Sequence, residues 1–75
     1  ISLYPNPASN TVSLTGIEGV ATVTVVDMNG RVVTTVETQP AASDITIDVT
    51  NMAQGAYFVR IVGEQVNAIR KLIVR

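Results

Sequence analysis

The chain has 75 residues, a length that fits one small domain near the lower size limit for independent folding. Five basic and six acidic residues give a net charge of −1, which argues against nucleic-acid binding and against general binding to anionic membranes. Hydrophobic residues make up 47% of the chain, too many for a disordered segment. Cysteine and histidine are absent, which excludes disulfides, thiolate nucleophiles and imidazole ligands.

The dominant period of the sequence is two. In the first half of the chain Val23 and Val25 alternate with Thr22 and Thr24, which is typical of antiparallel β-strands with one face on a core. We expect strands at residues 1–4, 11–14, 21–28 and 31–38. They are separated by Pro5-Asn6-Pro7, by Gly16 and Gly19, and by Asn29-Gly30. Asn29-Gly30 predicts a type I′ hairpin turn, in which both residues have positive φ. The pairs Val25-Val26 and Val32-Val33 interrupt the alternation, which leaves open burial on both faces, a bulge or a shifted register.

Three further strands are expected in the second half, at residues 44–50, 57–62 and 67–75. Turns are expected at residues 40–43, 51–55 and 63–65. Seven strands at short, even spacing predict an all-β fold, and we favour an immunoglobulin-like antiparallel β-sandwich of about seven short strands. Three aromatic residues are present, so the core must be mainly aliphatic. No apolar run approaches the roughly 20 residues of a membrane helix, so direct membrane insertion is not expected.

The last expected strand is both apolar and basic, because Arg70, Lys71 and Arg75 fall in its final six positions. Chain ends are usually frayed and polar unless they are tied into the fold. Two registers are open for this strand. Either Leu72 and Val74 face the core, or Ile69 and Ile73 do. We expect the first. The basic residues either protect an exposed sheet edge or steer the strand to an acidic receptor.

Catalytic, cofactor and metal sites are not expected. A serine triad lacks its histidine, and the single lysine, Lys71, has no serine at a motif spacing. The segment Asp27-Met28-Asn29-Gly30 resembles the start of a calcium loop, but the remaining oxygen ligands and the closing glutamate are missing. Asp44 and Asp48 are expected on one strand face with Thr46, where a solvated sandwich exterior is favoured over bound calcium.

The aromatic residues divide into core and surface candidates. Tyr57 alternates with the apolar face of its strand and is expected in the core, whereas Tyr4 is expected to pack at the mouth of the sandwich. If Tyr57 faces inward, then Phe58 and Val62 are exposed beside Arg60. This arrangement leaves two interpretations open, an isolated exposed phenylalanine and a contact patch.

Local motifs along the chain together resemble one known family. They are Tyr4-Pro5-Asn6-Pro7-Ala8 before the strand at 11–14, Asp27-Met28-Asn29-Gly30-Arg31-Val32-Val33, and Met52-Ala53-Gln54-Gly55-Ala56-Tyr57-Phe58-Val59-Arg60-Ile61 with the closing Lys71-Leu72-Ile73-Val74-Arg75. In this order they resemble the C-terminal sorting domain of type IX secretion substrates, also called the Por secretion tail. The resemblance covers nearly all 75 residues.

The resemblance implies that residues 1–75 are a single sorting domain, a fragment of a larger exported protein of a Gram-negative bacterium. Its partners would be the outer-membrane translocon that recognises it, the sortase-like cysteine peptidase that normally removes it, and an N-terminal cargo, which can be an enzyme such as a secreted protease. The implied route runs through the periplasm to the outer membrane, the cell surface or the medium. The domain is then an address and not an enzyme, and its cleavage site is expected upstream of Ile1.

The resemblance also assigns roles to individual residues. It implies a rigid entry turn at Pro5, Asn6 and Pro7, a turn with a surface contact at Gly30 and Arg31, and a turn with a core anchor at Gly55 and Tyr57. The candidates for recognition by the translocon are Arg70, Lys71, Leu72, Ile73, Val74 and Arg75. One alternative is kept open, a structural or adhesive immunoglobulin-like module retained on a secreted surface protein. A dimer through the edge strands is also conceivable.

Overall fold

The computed structural model describes residues 1–17, 19–38, 44–64 and 66–75, and within these ranges the chain forms seven β-strands. The strands are β1 (Ser2–Tyr4), β2 (Thr11–Thr15), β3 (Ala21–Asp27), β4 (Val32–Glu37), β5 (Ile45–Asp48), β6 (Gly55–Gly63) and β7 (Asn67–Val74). The turn expected at residues 40–43 lies outside the described residues, as does residue 65 of the turn expected at 63–65. No helix in the described ranges could span a membrane.

The strands form two antiparallel sheets, with the orders β1-β2-β5 and β4-β3-β6-β7. The central pair of the larger sheet is β3 and β6, which are neighbours although they are distant in sequence. In immunoglobulin notation the sheets are A-B-E and C′-C-F-G. This arrangement confirms the predicted all-β, immunoglobulin-like sandwich of seven strands.

The core lies between the two sheets and is almost entirely aliphatic. Most core residues are branched aliphatic residues at alternate strand positions, and their side chains pack well on a pleated surface. The buried hydrophobic residues are Ala8, Val12, Leu14, Ile17, Ala21, Val23, Val25, Ile47, Val49, Tyr57, Val59, Ile61, Leu72 and Val74. Tyr57 lies among them as predicted, and its hydroxyl donates to the carbonyl of Ala53 at 2.6 Å. This bond satisfies the one polar atom that the ring brings into the core.

Tyr4 was expected to pack at the mouth of the sandwich, but it does not. Its side chain is 54% exposed. In the β1–β2 ladder Leu3 lies opposite the buried Leu14, whereas Tyr4 lies opposite Ser13. Because side chains alternate along a strand, turning Leu3 inward turns Tyr4 outward. The two-residue period therefore overrides the tendency of an aromatic ring to find cover.

The predicted type I′ turn is also wrong. Gly30 has φ of +83°, but Asn29 is not among the residues with positive φ, and no other non-glycine residue in the described ranges is. The amide of Gly30 donates to the carbonyl of Asp27 at 3.0 Å, and the amide of Asp27 donates to the carbonyl of Arg31 at 2.9 Å. This pattern is the three-residue hairpin loop, in which a type I turn is followed by a glycine in the left-handed region.

The Asp27 side chain explains why the longer loop forms. Its Oδ1 accepts the amide protons of Asn29 and Arg31, both at 2.9 Å. An aspartate that bonds to the backbone two residues later is a strong local determinant of a turn. Of the three interpretations left open for the valine pairs, the structure shows the bulge, since the β3–β4 register shifts between Val25 and Val26.

Substitutions in this hairpin distinguish the two turn types. Gly30→Val places a branched side chain at φ of +83° and should cost about 1–2 kcal/mol or more. The melting temperature should then fall by roughly 5–15 °C. Asn29→Val is the matched control, because that exposed residue has ordinary φ, and it should cost under about 0.5 kcal/mol. Thermal melts of both variants check this prediction. Equal falls in melting temperature would support the type I′ turn instead.

The end of β5 makes stability depend on pH. Oδ1 of Asp48 accepts the amide proton of Thr50 at 2.8 Å. Hydrogen bonds from the Thr50 side chain and backbone lower the pKa of Asp48 from its usual 3.8. Because the folded value lies below the unfolded one, this stabilisation is present above pH 3.8 and is lost as the pH falls through the folded pKa.

Urea unfolding of the parent and of Asp48→Asn from about pH 5 to about pH 2 measures this effect. The parent should be the more stable at the upper end, and the difference should shrink as the pH falls. A difference that stays constant across the range would contradict the assignment.

Candidate recognition end of the sandwich

Strand β7 supplies most of the predicted recognition residues, and it lies at the edge of the larger sheet. It pairs with β6 along its whole length, with Leu72 opposite Tyr57 and Val74 opposite Gly55. Leu72 is 0% exposed and Val74 is 2% exposed. The preferred register is therefore confirmed, and the two apolar side chains are part of the core.

The three cations of this segment, Arg70, Lys71 and Arg75, are exposed. None of them makes a salt bridge with a described residue, since the ion pair in those ranges joins Arg31 and Asp27. Arg70 bonds to the backbone, with Nη1 donating to the carbonyl of Ile69 at 3.0 Å. The end of β7 thus combines buried apolar side chains with positive charges that face solvent.

Residues Pro5, Asn6 and Pro7, here called the proline turn, carry the chain from the smaller sheet to β7. The side-chain amide of Asn6 bonds to two backbone groups of that strand. Its Nδ2 donates to the carbonyl of Lys71 at 2.9 Å, and its Oδ1 accepts the amide proton of Ile73 at 3.0 Å. Asn6 therefore occupies the place of a peptide group in a neighbouring strand.

Ala8 continues the same pairing with its backbone. Its amide donates to the carbonyl of Ile73 at 2.8 Å, and its carbonyl accepts the amide proton of Arg75 at 2.8 Å. The contact is a parallel bridge between Ala8 and Val74. Together with Asn6 it covers the outer edge of β7 from residue 71 to residue 75. Unpaired strand edges attract other chains, so this cover closes the final part of an exposed edge.

The remaining family-motif residues lie at the same end of the sheet. One row across the sheet contains Asp27, Tyr57 and Leu72. Asp27 opens the hairpin that holds Gly30 and Arg31, and Leu72 belongs to the segment bonded by Asn6. The structure thus brings together four motifs that are separate in sequence.

Gly55 and Arg31 have distinct local explanations. Gly55 has φ of +151°, a value that glycine adopts readily, and an added Cβ would meet nothing within 4 Å. Its constraint is therefore backbone conformation. Arg31 is 79% exposed, with Nε 3.8 Å from Oδ2 of Asp27. Such a surface pair contributes little stability, so the Arg31 side chain is free to make a surface contact.

The carboxylates offer no preformed cation site in the described ranges. No group of three or more metal-ligating side chains occurs there. One oxygen of Asp27 is occupied by backbone amides, and Asp48 bonds to Thr50. Asp44, Thr46 and Asp48 are exposed, which agrees with the favoured interpretation of this strand face as solvated.

Comparison with known families identifies residues 2–75 with the secretion system C-terminal sorting domain, the Por secretion tail. Comparisons with curated proteins and with solved structures gave no match. The family match spans all seven strands and the four motifs that meet at this end of the sheet. The chain therefore belongs to the Por secretion tail family, the C-terminal sorting domains of type IX secretion, which direct export to the cell surface or the medium.

Proposed function

We propose that the type IX translocon recognises this domain at the end of the sandwich where the four motifs meet. The observation that carries the proposal is the pairing of the proline turn and Ala8 with the end of β7. It links the first motif of the chain to the last by four hydrogen bonds. A receptor that binds there contacts a surface that exists only when the whole domain has folded.

The groups available to a receptor follow from the burial of the strand. Leu72 and Val74 are buried, so their side chains contribute through folding and not through direct contact. Arg70, Lys71 and Arg75 are exposed and carry no salt bridge with a described residue. Ile73 is half-buried. We infer that the receptor surface is acidic and pairs with the three cations.

The wider pathway follows from the family and is part of the proposal. Residues 1–75 form the single sorting domain of a larger precursor, with the cargo on the N-terminal side. The precursor crosses the periplasm, the translocon recognises the folded domain, and a sortase-like peptidase separates the domain from the cargo. The domain carries out no catalysis and is a substrate of the peptidase. Dimer formation through edge strands stays a prediction, and residues 71–75 of the β7 edge are already occupied.

Retention of the domain separates this pathway from the alternative, a structural or adhesive module. Mass spectrometry of the cargo isolated from the cell surface should detect no peptides from residues 1–75. Peptides from this region in the mature surface protein would support the alternative.

Deleting the end of β7 is a poor test of recognition, because it removes buried side chains. Truncating Leu72 alone to alanine should cost about 2–5 kcal/mol. That loss is comparable with the whole stability of a small domain. A failure of export after such a deletion would therefore report unfolding as readily as lost recognition.

Charge-removing variants avoid this problem. We predict that Arg70→Gln/Lys71→Gln/Arg75→Gln keeps the fold and loses about tenfold in export rate. Three exposed charge contacts at roughly 0.5 kcal/mol each account for that factor. The measurement is the rate at which a reporter fused to the N-terminal side of the domain reaches the cell surface.

The matched control is Arg70→Lys/Lys71→Arg/Arg75→Lys, which changes the same positions and keeps all three charges. It should be exported at the parental rate, and circular dichroism should show all three proteins folded. Parental export of the folded glutamine variant would refute recognition of the basic side chains.

Asn6 tests whether recognition needs the finished edge. Asn6→Ala removes two hydrogen bonds to β7 and should lower the free energy of unfolding by about 1–2 kcal/mol. Asn10→Ala is the matched control, an exposed asparagine two residues after Ala8. The free energy of unfolding, measured with a chemical denaturant, and the rate of reporter export should both fall in Asn6→Ala. Both should be unchanged in Asn10→Ala. Equal stability of the two variants would show that the Asn6 bonds contribute nothing.

A further inference from the structure

A shallow groove of about 490 Å³ lies on the outer face of the larger sheet, on the side away from the core. Its apolar lining comes from Val26, Val32, Phe58 and Ile69, which belong to all four strands of the sheet. Val26 lies opposite both Val32 and Phe58 in the ladders. The groove is therefore built across the sheet and does not follow one strand.

The strand pattern predicted part of this surface, with Phe58 and Val62 exposed together beside Arg60 on β6. Val62 is 44% exposed but does not line the groove, whereas Phe58 is half-buried among residues of other strands. Val32 and Ile69 are 57% and 55% exposed. These two residues lie on the edge strands β4 and β7, with Val26 and Phe58 between them. Exposed apolar side chains spread across one sheet face in this way are typical of contact surfaces.

Two cations accompany the apolar lining. Arg60 lines the groove, and Lys71 lies directly opposite Phe58 in the ladder. Neither makes a salt bridge with a described residue. The acidic residue Glu37 lies opposite Thr22, toward the other end of the sheet, and Asp27 is engaged by its own turn. The surroundings of the groove in the described part of the chain are therefore positively charged.

We propose that the groove binds an extended protein segment that presents an apolar side chain flanked by carboxylates. The apolar side chain would pack on Phe58 and Ile69, and the carboxylates would pair with Arg60 and Lys71. A second copy of this chain is disfavoured as the occupant. A two-fold contact through this face would bring the cations of one copy against the same cations of the other copy, where they would repel each other. Lys71 is also one of the three cations proposed for recognition by the translocon, whereas Arg70 and Arg75 take no part in the groove.

The test is an NMR titration of the ¹⁵N-labelled chain with two capped synthetic peptides, acetyl-Asp-Leu-Phe-Asp-amide and acetyl-Lys-Leu-Phe-Lys-amide. The acidic peptide should shift the amide signals of Val26, Phe58 and Ile69 in a saturable manner. The lysine peptide should bind about tenfold more weakly at low salt, and added salt should reduce the difference. Equal affinities, or no saturable shift at these residues, would overturn the proposal.

Two exposed positions on the same sheet face provide a matched pair of variants. Ile69→Thr lies in the groove and should weaken binding of the acidic peptide about fivefold. Val62→Thr lies outside the groove and should leave the affinity unchanged. Arg60→Glu leaves Lys71 as the single cation beside a new carboxylate, so the preference for the acidic peptide should be lost. Equal effects of Ile69→Thr and Val62→Thr would place the binding site elsewhere and contradict the assignment.

Discussion

The hydrogen bonds between Asn6 and β7 hold together the end of the sandwich that we propose for recognition, where the four motifs meet. A side-chain amide carries one donor group and one acceptor, as a peptide group does, and can therefore pair with a strand edge. The flanking prolines lack amide protons and leave no donors unpaired as the chain passes between the sheets. Ala8 then extends the pairing to Arg75. The end of β7 is therefore held on one side by β6 and on the other by the proline turn and Ala8.

This arrangement accounts for the mixed composition of the last strand. Its apolar residues complete the core, and its basic residues stay in solvent next to a closed edge. The same sheet carries the apolar groove on its outer face, where Lys71 lies between the groove and the end of the strand. The larger sheet is therefore the part of the molecule that presents charge and apolar surface together.

Local sequence patterns predicted the features that are governed by local physics. Alternation placed Tyr57 in the core, because a strand has a period of two and one face must be buried. In the last strand it left two registers open, of which the preferred one, with Leu72 and Val74 inward, is the one observed. Patterns within a few residues could not predict the bonds of Asn6, whose partners lie 65 and 67 residues away in the chain. The asparagine between two prolines was a visible signal, since it is the only residue of that turn with both a donor and an acceptor in its side chain.

The errors have equally specific causes. Asn29-Gly30 is a strong type I′ pattern, but the Asp27 carboxylate two residues before it stabilises a longer loop. Tyr4 was expected at the mouth of the sandwich from its position before Pro5, whereas the pairing of Leu3 with Leu14 decided its direction. The groove was underestimated because its residues come from four strands, and which strands lie side by side was not predicted. In each case a contact outside the local pattern determined the outcome.

Hydrogen exchange at single amides of β7 tests the central claim most directly. Alternate residues of a strand direct their amides to the same edge, so those of Ile69, Ile73 and Arg75 all point away from β6. The amides of Ile73 and Arg75 are bonded to Asn6 and Ala8, whereas that of Ile69 precedes the covered part of the edge. The account predicts strong protection at Ile73 and Arg75 and fast exchange at Ile69. Exchange at Ile73 as fast as at Ile69 would show that the proline turn does not close the edge of the strand.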